Sequence, residues 1–458
     1  MAQQSWHEAR LIPTSGISGA EEQERRATSA LLAVMSAVRE YGRGLIKPLG
    51  APAGSLQTFI EVPFELAEKR FFPDGLIRVV RGQKTWTALV EVKTGANQLA
   101  TEQLERYLDI AREQGFDALI TISNEISAVP GQHPTQVDKR KLKKVALHHW
   151  SWTEVLAGAV MQKEFRGVAD PDQAWILGEL IRYLEHPRSG AMEFDDMGEA
   201  WVRVRDAVAA STLRSTNKGV DQVAARFDAL LRFASLRLGR QLGTEVAPLL
   251  SRAELSNPSR RTQAMVTKLC GDGQLSGAIR IPDAVAPLTV TVDVRAGRVD
   301  CYVDIDAPRE GRPATRVKWL VRQLANAPAG VRVEAYVAHA RGSSAAGLLG
   351  AARENPEMLV GPEGKDLRNF RVALSAPMGA KRGRGRGSFI DSVLSCVDTF
   401  YGDVLQDLKV WSATPPRFRD PDADKLATEE QPARAPLVST GFSSQDDPDH
   451  TTPRARAR

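Results

Sequence analysis

Residues 73–93 read PDGLIRVVRGQKTWTALVEVK. Two apolar runs flank the segment Arg81-Gly82-Gln83-Lys84. A glycine followed by a polar residue suits a two-residue hairpin loop, because one central position needs φ > 0. With Gly82 and Gln83 as the loop, Arg81 pairs with Lys84, and every opposed pair of residue numbers keeps the same sum. Asp74 then stands directly opposite Glu91. Opposed residues share a face, with Cβ atoms about 4.5–5.5 Å apart, so two like charges meet where they destabilise a sheet. A divalent cation is the economical way to offset that repulsion, since Mg²⁺ favours carboxylate oxygens and retained waters. Lys93 lies two residues past Glu91, on the same face by the period of two. The other face carries Ile77, Val79, Trp86, Ala88, Val90 and Val92 and reads as core. For an E-x-K taken alone, a surface hairpin with Glu91 and Lys93 as a solvated pair is the simpler reading. The register argues against it, and a bulge or a three-residue loop would remove that support.

The chain around this hairpin has 458 residues, a length that suits two or three domains. A hydrophobic fraction of 42% can fill real cores, and the net charge of +5 is compatible with a polyanionic partner without requiring one. Cys270, Cys301 and Cys396 lie far apart with no CxxC, which argues against a zinc site of the usual spacing and against a disulfide framework. A reducing, cytoplasmic setting follows. No apolar run approaches the roughly 18 residues a membrane helix needs, and the first residues lack the pattern of a signal peptide. No membrane partner is expected.

The residue patterns alternate between helix and strand over residues 1–165. A helix is expected from about 19 to 41, then strands at TFIEVPF, DGLIRVV and TWTALVEV, a helix over 99–114 stopped by Gly115, a strand at DALITIS and another at VALHHWSW. Residues 166–245 read as a helical connector carrying two long amphipathic helices, the second ending at a glycine. Residues 246–411 read as a second α+β domain. It starts with a hairpin of LTVTVDV and RVDCYVDI and continues as helix, strand, helix (AAGLLGAAREN), strand and a final helix from Ser388. Residues 412–458 are rich in Pro, Asp, Ser, Thr and Arg and are expected to be disordered. The fold class is α/β (α+β).

Pro73-Asp74 followed by a strand pair ending in Glu91-Val92-Lys93 resembles the PD-(D/E)XK nuclease superfamily. The order of elements over 1–165 matches its core, a restriction-endonuclease-like mixed sheet flanked by helices. Gln103-Leu-Glu-Arg-Tyr107 on the following helix looks like the Q-x-x-x-Y motif of the RecB-like branch, and a spacing of four lets both side chains point to one site. The first helix of this superfamily often supplies another acid. Glu24 falls on the stripe of Ala27, Leu31, Val34 and Val38, whereas Glu22 lies off it; Glu21 is the fallback, and the helix dipole alone favours acids there. The resemblance covers about a third of the chain. It implies a Mg²⁺- or Mn²⁺-dependent nuclease that hydrolyses phosphodiester bonds of nucleic acid, DNA before RNA. Asp74, Glu91 and the Val92 carbonyl would hold the metal and Lys93 would orient or deprotonate the attacking water. Glu24 would hold a second metal or a metal-bound water, and Gln103 and Tyr107 would position the strand or brace the lysine. A role in stress or defence fits. The alternative is a catalytically silent nucleic-acid-binding or scaffold protein on the same fold.

Two further stretches point to nucleic acid. Lys139, Arg140, Lys141, Lys143 and Lys144 form a dense basic run that could track phosphates, against the plainer reading of a solvated face. Arg382, Arg384 and Arg386 lie in a flexible-looking RG loop that feeds a helix capped by Ser388 and Asp391 as a capping box. His148 and His149 alternate on a strand, one satisfied in the core and the other exposed, which disfavours a metal pair. Trp175, Trp201, Trp319 and Trp411 read as core. No phosphate-cradling P-loop occurs. The C-terminal domain leaves room for a homo-oligomer or a protein partner.

Overall fold

The 73–93 stretch folds in the expected register. In the computed structural model, strands β4 (Gly75–Arg81) and β5 (Lys84–Val92) pair antiparallel from Arg81↔Lys84 to Gly75↔Val90. Gly82 takes φ 58° in the turn, a conformation open to glycine at no steric cost. Residues 11–14, 19–127, 129, 131–340, 342–361 and 365–413 are described; the expected disordered tail lies outside them from residue 414 onward.

The hairpin sits inside a five-stranded sheet of order β1-β4-β5-β6-β7. Ahead of it in the chain come α1 (Ala20–Ala37), α2 (Arg39–Ile46), β1 (Ser55–Ile60), β2 (Phe64–Leu66) and β3 (Lys69–Phe71). After it come α3 (Thr101–Glu113), β6 (Ala118–Ser123), β7 (Ala146–Ser151), α4 (Trp152–Val160) and α5 (Pro171–Leu184). β1, β4 and β5 run antiparallel, while β5, β6 and β7 run parallel. Both faces are covered, as parallel strands require. One face, with Ile77, Val79, Trp86, Ala88, Val90 and Val92, packs against α1, α4 and α5 through Leu31, Met35, Trp152, Leu177 and Leu180. The face that carries Glu91 is also apolar over most of its length. Leu76, Leu89 and Leu119 lie under Leu104, Leu108 and Ala111 of α3. Polar residues on this face are few, among them Arg78, Thr87, Glu91 and Thr121.

Several boundaries differ from the sequence reading. The helix expected over 19–41 breaks at Val38, and α2 turns off because Gly42 packs onto the end of α1; a Cβ there would stand 2.1 Å from the Met35 carbonyl oxygen. TFIEVPF is not one strand. β1 ends at Ile60, Glu61 takes φ 49°, and Phe64 begins a separate hairpin of β2 with β3.

The rest of the chain builds a second sheet of order β13-β12-β14-β11-β10-β9-β8. Its elements are α6 (Trp201–Ala209), α7 (Val220–Leu242), β8 (Ala247–Pro248), α8 (Arg252–Ser256), α9 (Pro258–Asp272), β9 (Gln274–Arg280), β10 (Leu288–Asp293), β11 (Arg298–Asp306), α10 (Pro313–Gln323), β12 (Arg332–Val337), β13 (Ala345–Leu348), α11 (Leu349–Glu354), β14 (Leu367–Pro377) and α12 (Phe389–Asp403). All its named pairings are antiparallel. AAGL, expected to open a helix, is strand β13 on β12, and the helix begins only at Leu349. Of the helices between the sheets, α5 buries Leu177, Leu180 and Tyr183 in the first core, whereas α6 and α7 bury Trp201, Phe227 and Leu231 in the second. Met1–Trp411 form one compact unit. Trp175, expected in the core, is exposed, because α5 turns Leu177 and Leu180 inward instead. Trp201 is buried as expected, and Trp319 is partly buried against the second core.

Candidate active site

Asp74 precedes β4 and Glu91 lies one residue before the end of β5, so the pairing brings both to one end of the sheet. Gly75 matters here, since a Cβ on it would stand 2.5 Å from Leu32 Cδ1; its absence lets α1 lie close over the strands. The N-terminal turns of α1 then carry Glu24 to the same place. The Lys93 Nζ donates to Glu91 Oε1 at 2.6 Å and reaches Glu24 Oε2 at 3.5 Å and the Val92 carbonyl at 3.2 Å. Asp74 Oδ2 accepts the Val92 backbone N–H at 2.7 Å. Glu24, Asp74, Glu91 and Lys93 therefore converge.

The centre is almost dry. Glu91 is 1% exposed, and its Oε2 is buried with no hydrogen-bond partner. Burial, and then the neighbouring Asp74 carboxylate, push Glu91 up to about 8. Burial also raises Asp74, against the lowering effect of the Val92 N–H and of Lys93. Burial acts to lower Lys93, but the carboxylates of Glu91, Glu24 and Asp74 outweigh it and hold the lysine above its ordinary value. Three acids and one lysine leave an excess of negative charge, which together with burial favours a proton held on the Asp74–Glu91 pair.

Glu24 is held from a second side. Asn97 Nδ2 donates to its Oε1 at 2.6 Å and the Thr94 N–H at 3.4 Å. The loop that carries these donors is fixed in turn. Gly95 N–H bonds the Gly190 carbonyl at 2.9 Å, and Asn124 Nδ2 bonds both the Gly95 and Gly190 carbonyls. Glu21 also lines the cleft but is nearly fully exposed and pairs with Arg25, so Glu24 is the α1 acid that reaches Lys93. Gln103 and Tyr107 bond each other at 3.4 Å, and the Tyr107 hydroxyl reaches the Phe72 carbonyl at 3.5 Å. They brace the segment leading into Asp74; no hydrogen bond joins either of them to Lys93 among the described residues. Burial, and then the Glu91 charge, raise the Tyr107 hydroxyl to about 12. A cleft of about 410 Å³ opens over Asp74 and Glu24, lined also by Thr28, Ile60, Glu61 and the exposed Phe72.

A polar row extends from Glu91 across the sheet. Glu91 is in register with Thr121, and Thr121 with His149. The Thr121 hydroxyl lies 2.8 Å from both His133 Nε2 and His149 Nδ1. His149 Nε2 faces the Glu125 carbonyl at 2.8 Å, and His133 Nδ1 lies 2.9 Å from the Thr135 carbonyl and 3.0 Å from its N–H. The Thr121 hydroxyl thus joins the two rings. Burial lowers His149 and takes His133 down to about 4. Neither His148 nor His149 is exposed, against the expectation that one would be: both are half-buried, and His148 Nε2 is buried and unpartnered.

The two basic stretches lie elsewhere. Lys139, Arg140, Lys143 and Lys144 are exposed, while Lys141 is tied to Asp109 Oδ2 at 2.5 Å. The run leads into β7 at Ala146, which is in register with Ala118 at the start of β6, so it meets the sheet at the end away from Glu91. The RG loop, expected to be flexible, is held by several contacts. Lys381 N–H bonds the Gly387 carbonyl, Arg382 pairs with Asp196 at 3.4 Å, and Arg384 pairs with Glu193 and Asp391. Arg386 stays exposed without an ion pair among the described residues. Ser388 caps α12 by accepting the Asp391 N–H, but the Asp391 carboxylate turns to the Gly385 N–H, so the reciprocal half of the capping box is missing.

Among the described residues, no three His, Cys, Asp or Glu side chains form a metal cage, and no helix is long and apolar enough to cross a membrane. The donor set at the strand ends is two carboxylates and a backbone carbonyl. Compared with protein-family models, with curated proteins and with solved structures, the chain matches none.

Proposed function

We propose that the protein is a metal-dependent nuclease of the PD-(D/E)XK kind, cutting phosphodiester bonds with DNA as the first candidate substrate. The observation that carries this reading is the buried Glu91 carboxylate, pressed against Asp74 with one oxygen unpartnered and a lysine on the other. A sheet gains nothing from such a pair, and a buried acid without a full set of partners is costly. Hard oxygen donors are what Mg²⁺ and Mn²⁺ take. Asp74, the free oxygen of Glu91 and the Val92 carbonyl would hold the ion, which when bound would neutralise the pair and supply phosphate polarisation and an acidified water.

The chain's own groups do the remaining work. Lys93, kept cationic by three carboxylates, orients the attacking water and faces the charge that develops on the phosphate. Its raised proton affinity favours this role over that of a general base. Glu24 fixes the lysine from the far side and offers a second carboxylate toward the cleft. Tyr107, through the Phe72 carbonyl, holds the lead into Asp74. The test is cleavage by purified full-length protein with Mg²⁺ or Mn²⁺ on single- and double-stranded DNA and RNA. Metal-dependent cleavage that Lys93→Ala and Asp74→Ala both abolish is expected; cleavage that persists in both variants would refute the assignment.

A further inference from the structure

A second cavity of about 370 Å³ lies on the same side of the sheet as the carboxylate cleft, lined by Arg39, Arg43, Ser36, Gly54, Ser55 and Leu56. Its arginines are placed unevenly on α2, for Arg43 lies in the last turn, where the dipole favours a cation, and Arg39 in the first, where it does not. Arg43 follows it by four residues, so two like charges share one face of the helix. Neither has a carboxylate partner or hydrogen bond among the described residues, and both are exposed. The nearby Glu40 turns away to the Ala169 N–H. Unlike the buried Asp74 and Glu91, these arginines face solvent, and they leave an open cationic wall on the cavity with no anion of the protein against it among the described residues.

The two concavities share their walls. α1 lines the carboxylate cleft with Glu24 and Thr28 and the arginine cavity with Ser36. β1, the edge strand, lines the cleft with Ile60 and the cavity with Leu56. Thr58 sits between them, its hydroxyl bonded to the Leu32 carbonyl at 2.9 Å. Leu56 to Ile60 spans about 13 Å at roughly 3.3 Å per strand residue, and Thr28 to Ser36 spans about 12 Å at roughly 1.5 Å per helix residue. That separation is at most about four nucleotide steps, the count given by the roughly 3.4 Å axial rise of a strand in a duplex, and fewer for a more extended single strand.

We propose that Arg39 and Arg43 form a phosphate-binding subsite for the nucleic-acid strand, a few nucleotides from the bond that is cut, so that the strand follows the α1–β1 edge between the two concavities. This rests on the nuclease reading and adds to it where the substrate lies and how long it must be. Ser36 and Ser55 supply neutral hydrogen-bond partners beside the two cations.

The test measures binding of single-stranded oligonucleotides of increasing length to the full chain, with Ca²⁺ in place of Mg²⁺ to hold back cleavage, over a series of salt concentrations. Wild type is compared with Arg39→Gln/Arg43→Gln, whose melting temperature is checked first. Two lost phosphate contacts reduce the slope of log K against log salt by about 1.4 for single strands. This loss is expected only for oligonucleotides long enough to reach both concavities, with the turnover of the shortest cleavable substrate unchanged. Equal slopes for wild type and a folded double variant would overturn the subsite while leaving cleavage by Asp74 and Lys93 standing. A reduced slope in a protein that cuts nothing would support the subsite and count against the nuclease reading. If inorganic phosphate alone binds with wild-type affinity to the double variant, the anion does not sit at these arginines and the proposal fails.

Discussion

Both cores of this molecule bury a carboxylate with one oxygen unpartnered and a cation on the other, and they differ in what stands next to it. In the second core, Asp228 on α7 is 4% exposed and meets Arg261 of α9 at 2.6 Å, with Glu254 joining the arginine at 3.2 Å. In the first core, Glu91 is buried as deeply, but its neighbour across the hairpin is another acid. The exposed face of the second sheet repeats the first solution: Asp304 and Arg371 stand opposite on β11 and β14, bonded at 2.7 and 2.8 Å. A buried charge that serves the fold is given a partner of the other sign. Glu91 also has a cation, Lys93 at 2.6 Å, but it shares that lysine with Glu24 and faces a second acid at Asp74, an excess of negative charge that a bound cation would relieve on the nuclease reading.

That contrast can be broken experimentally, and the expected effects fall in a clear order. Lys93→Ala should lower the rate of metal-dependent cleavage by about 10²–10³-fold or more, as loss of a preorganised group facing the developing charge does, and also lower the melting temperature, since it takes the cation from the buried Glu91. Arg261→Ala should affect stability alone. Leaving Asp228 buried and unpaired costs about 3–5 kcal/mol, read by denaturant unfolding, while cleavage per folded molecule stays at the wild-type rate. Asp74→Asn keeps an acceptor for the Val92 N–H and removes one of two like charges. Metal-free, it should be more stable than wild type near neutral pH by up to about 1 kcal/mol, the scale of a cross-strand charge pair. The smallest change is expected at Arg371→Ala, about 1 kcal/mol or less for a largely exposed pair, with no change in cleavage.

The pH dependence sharpens the same point. An acid whose folded value is raised binds more protons folded than unfolded, so its effect on stability worsens as pH rises. For Glu91 the window runs from its ordinary 4.5 to about 8. Metal-free wild type should lose stability across that range relative to Asp74→Asn, whose Glu91 no longer faces a second carboxylate, and the two unfolding curves should converge at the acid end. A constant gap across the range would mean that the two carboxylates do not share a proton.

The site was legible in the sequence where local geometry dictates it. A two-residue loop with glycine at its first central position fixes the register, and the register alone sets Asp74 against Glu91. Glu24 followed from helical periodicity, since α1 packs one stripe on the sheet. What escaped notice depends on distant chain segments. Asn97 and Thr94 hold Glu24 from a loop that Asn124 and Gly190 secure, and no local pattern marks them. The break at Val38 comes from the close approach of Gly42 to Met35, with no proline or other helix breaker at the junction. His133 reaches Thr121 from the loop between β6 and β7, beyond any strand pattern. The second sheet was read in its hairpin and later strands, but β9 and α9 carried no expectation, and β13 is a strand although its AAGL sequence suits a helix.

The central claim is that Asp74 and Glu91 share a proton only because a divalent cation is meant to replace it. Calorimetric titration with Mn²⁺ near pH 7, in two buffers of different ionisation enthalpy, measures both the ion bound and the proton released. Binding of Mn²⁺ to wild type with release of close to one proton, and loss of both in Asp74→Asn, is the expected result. No binding to wild type, or binding by Asp74→Asn that matches it, would contradict the account.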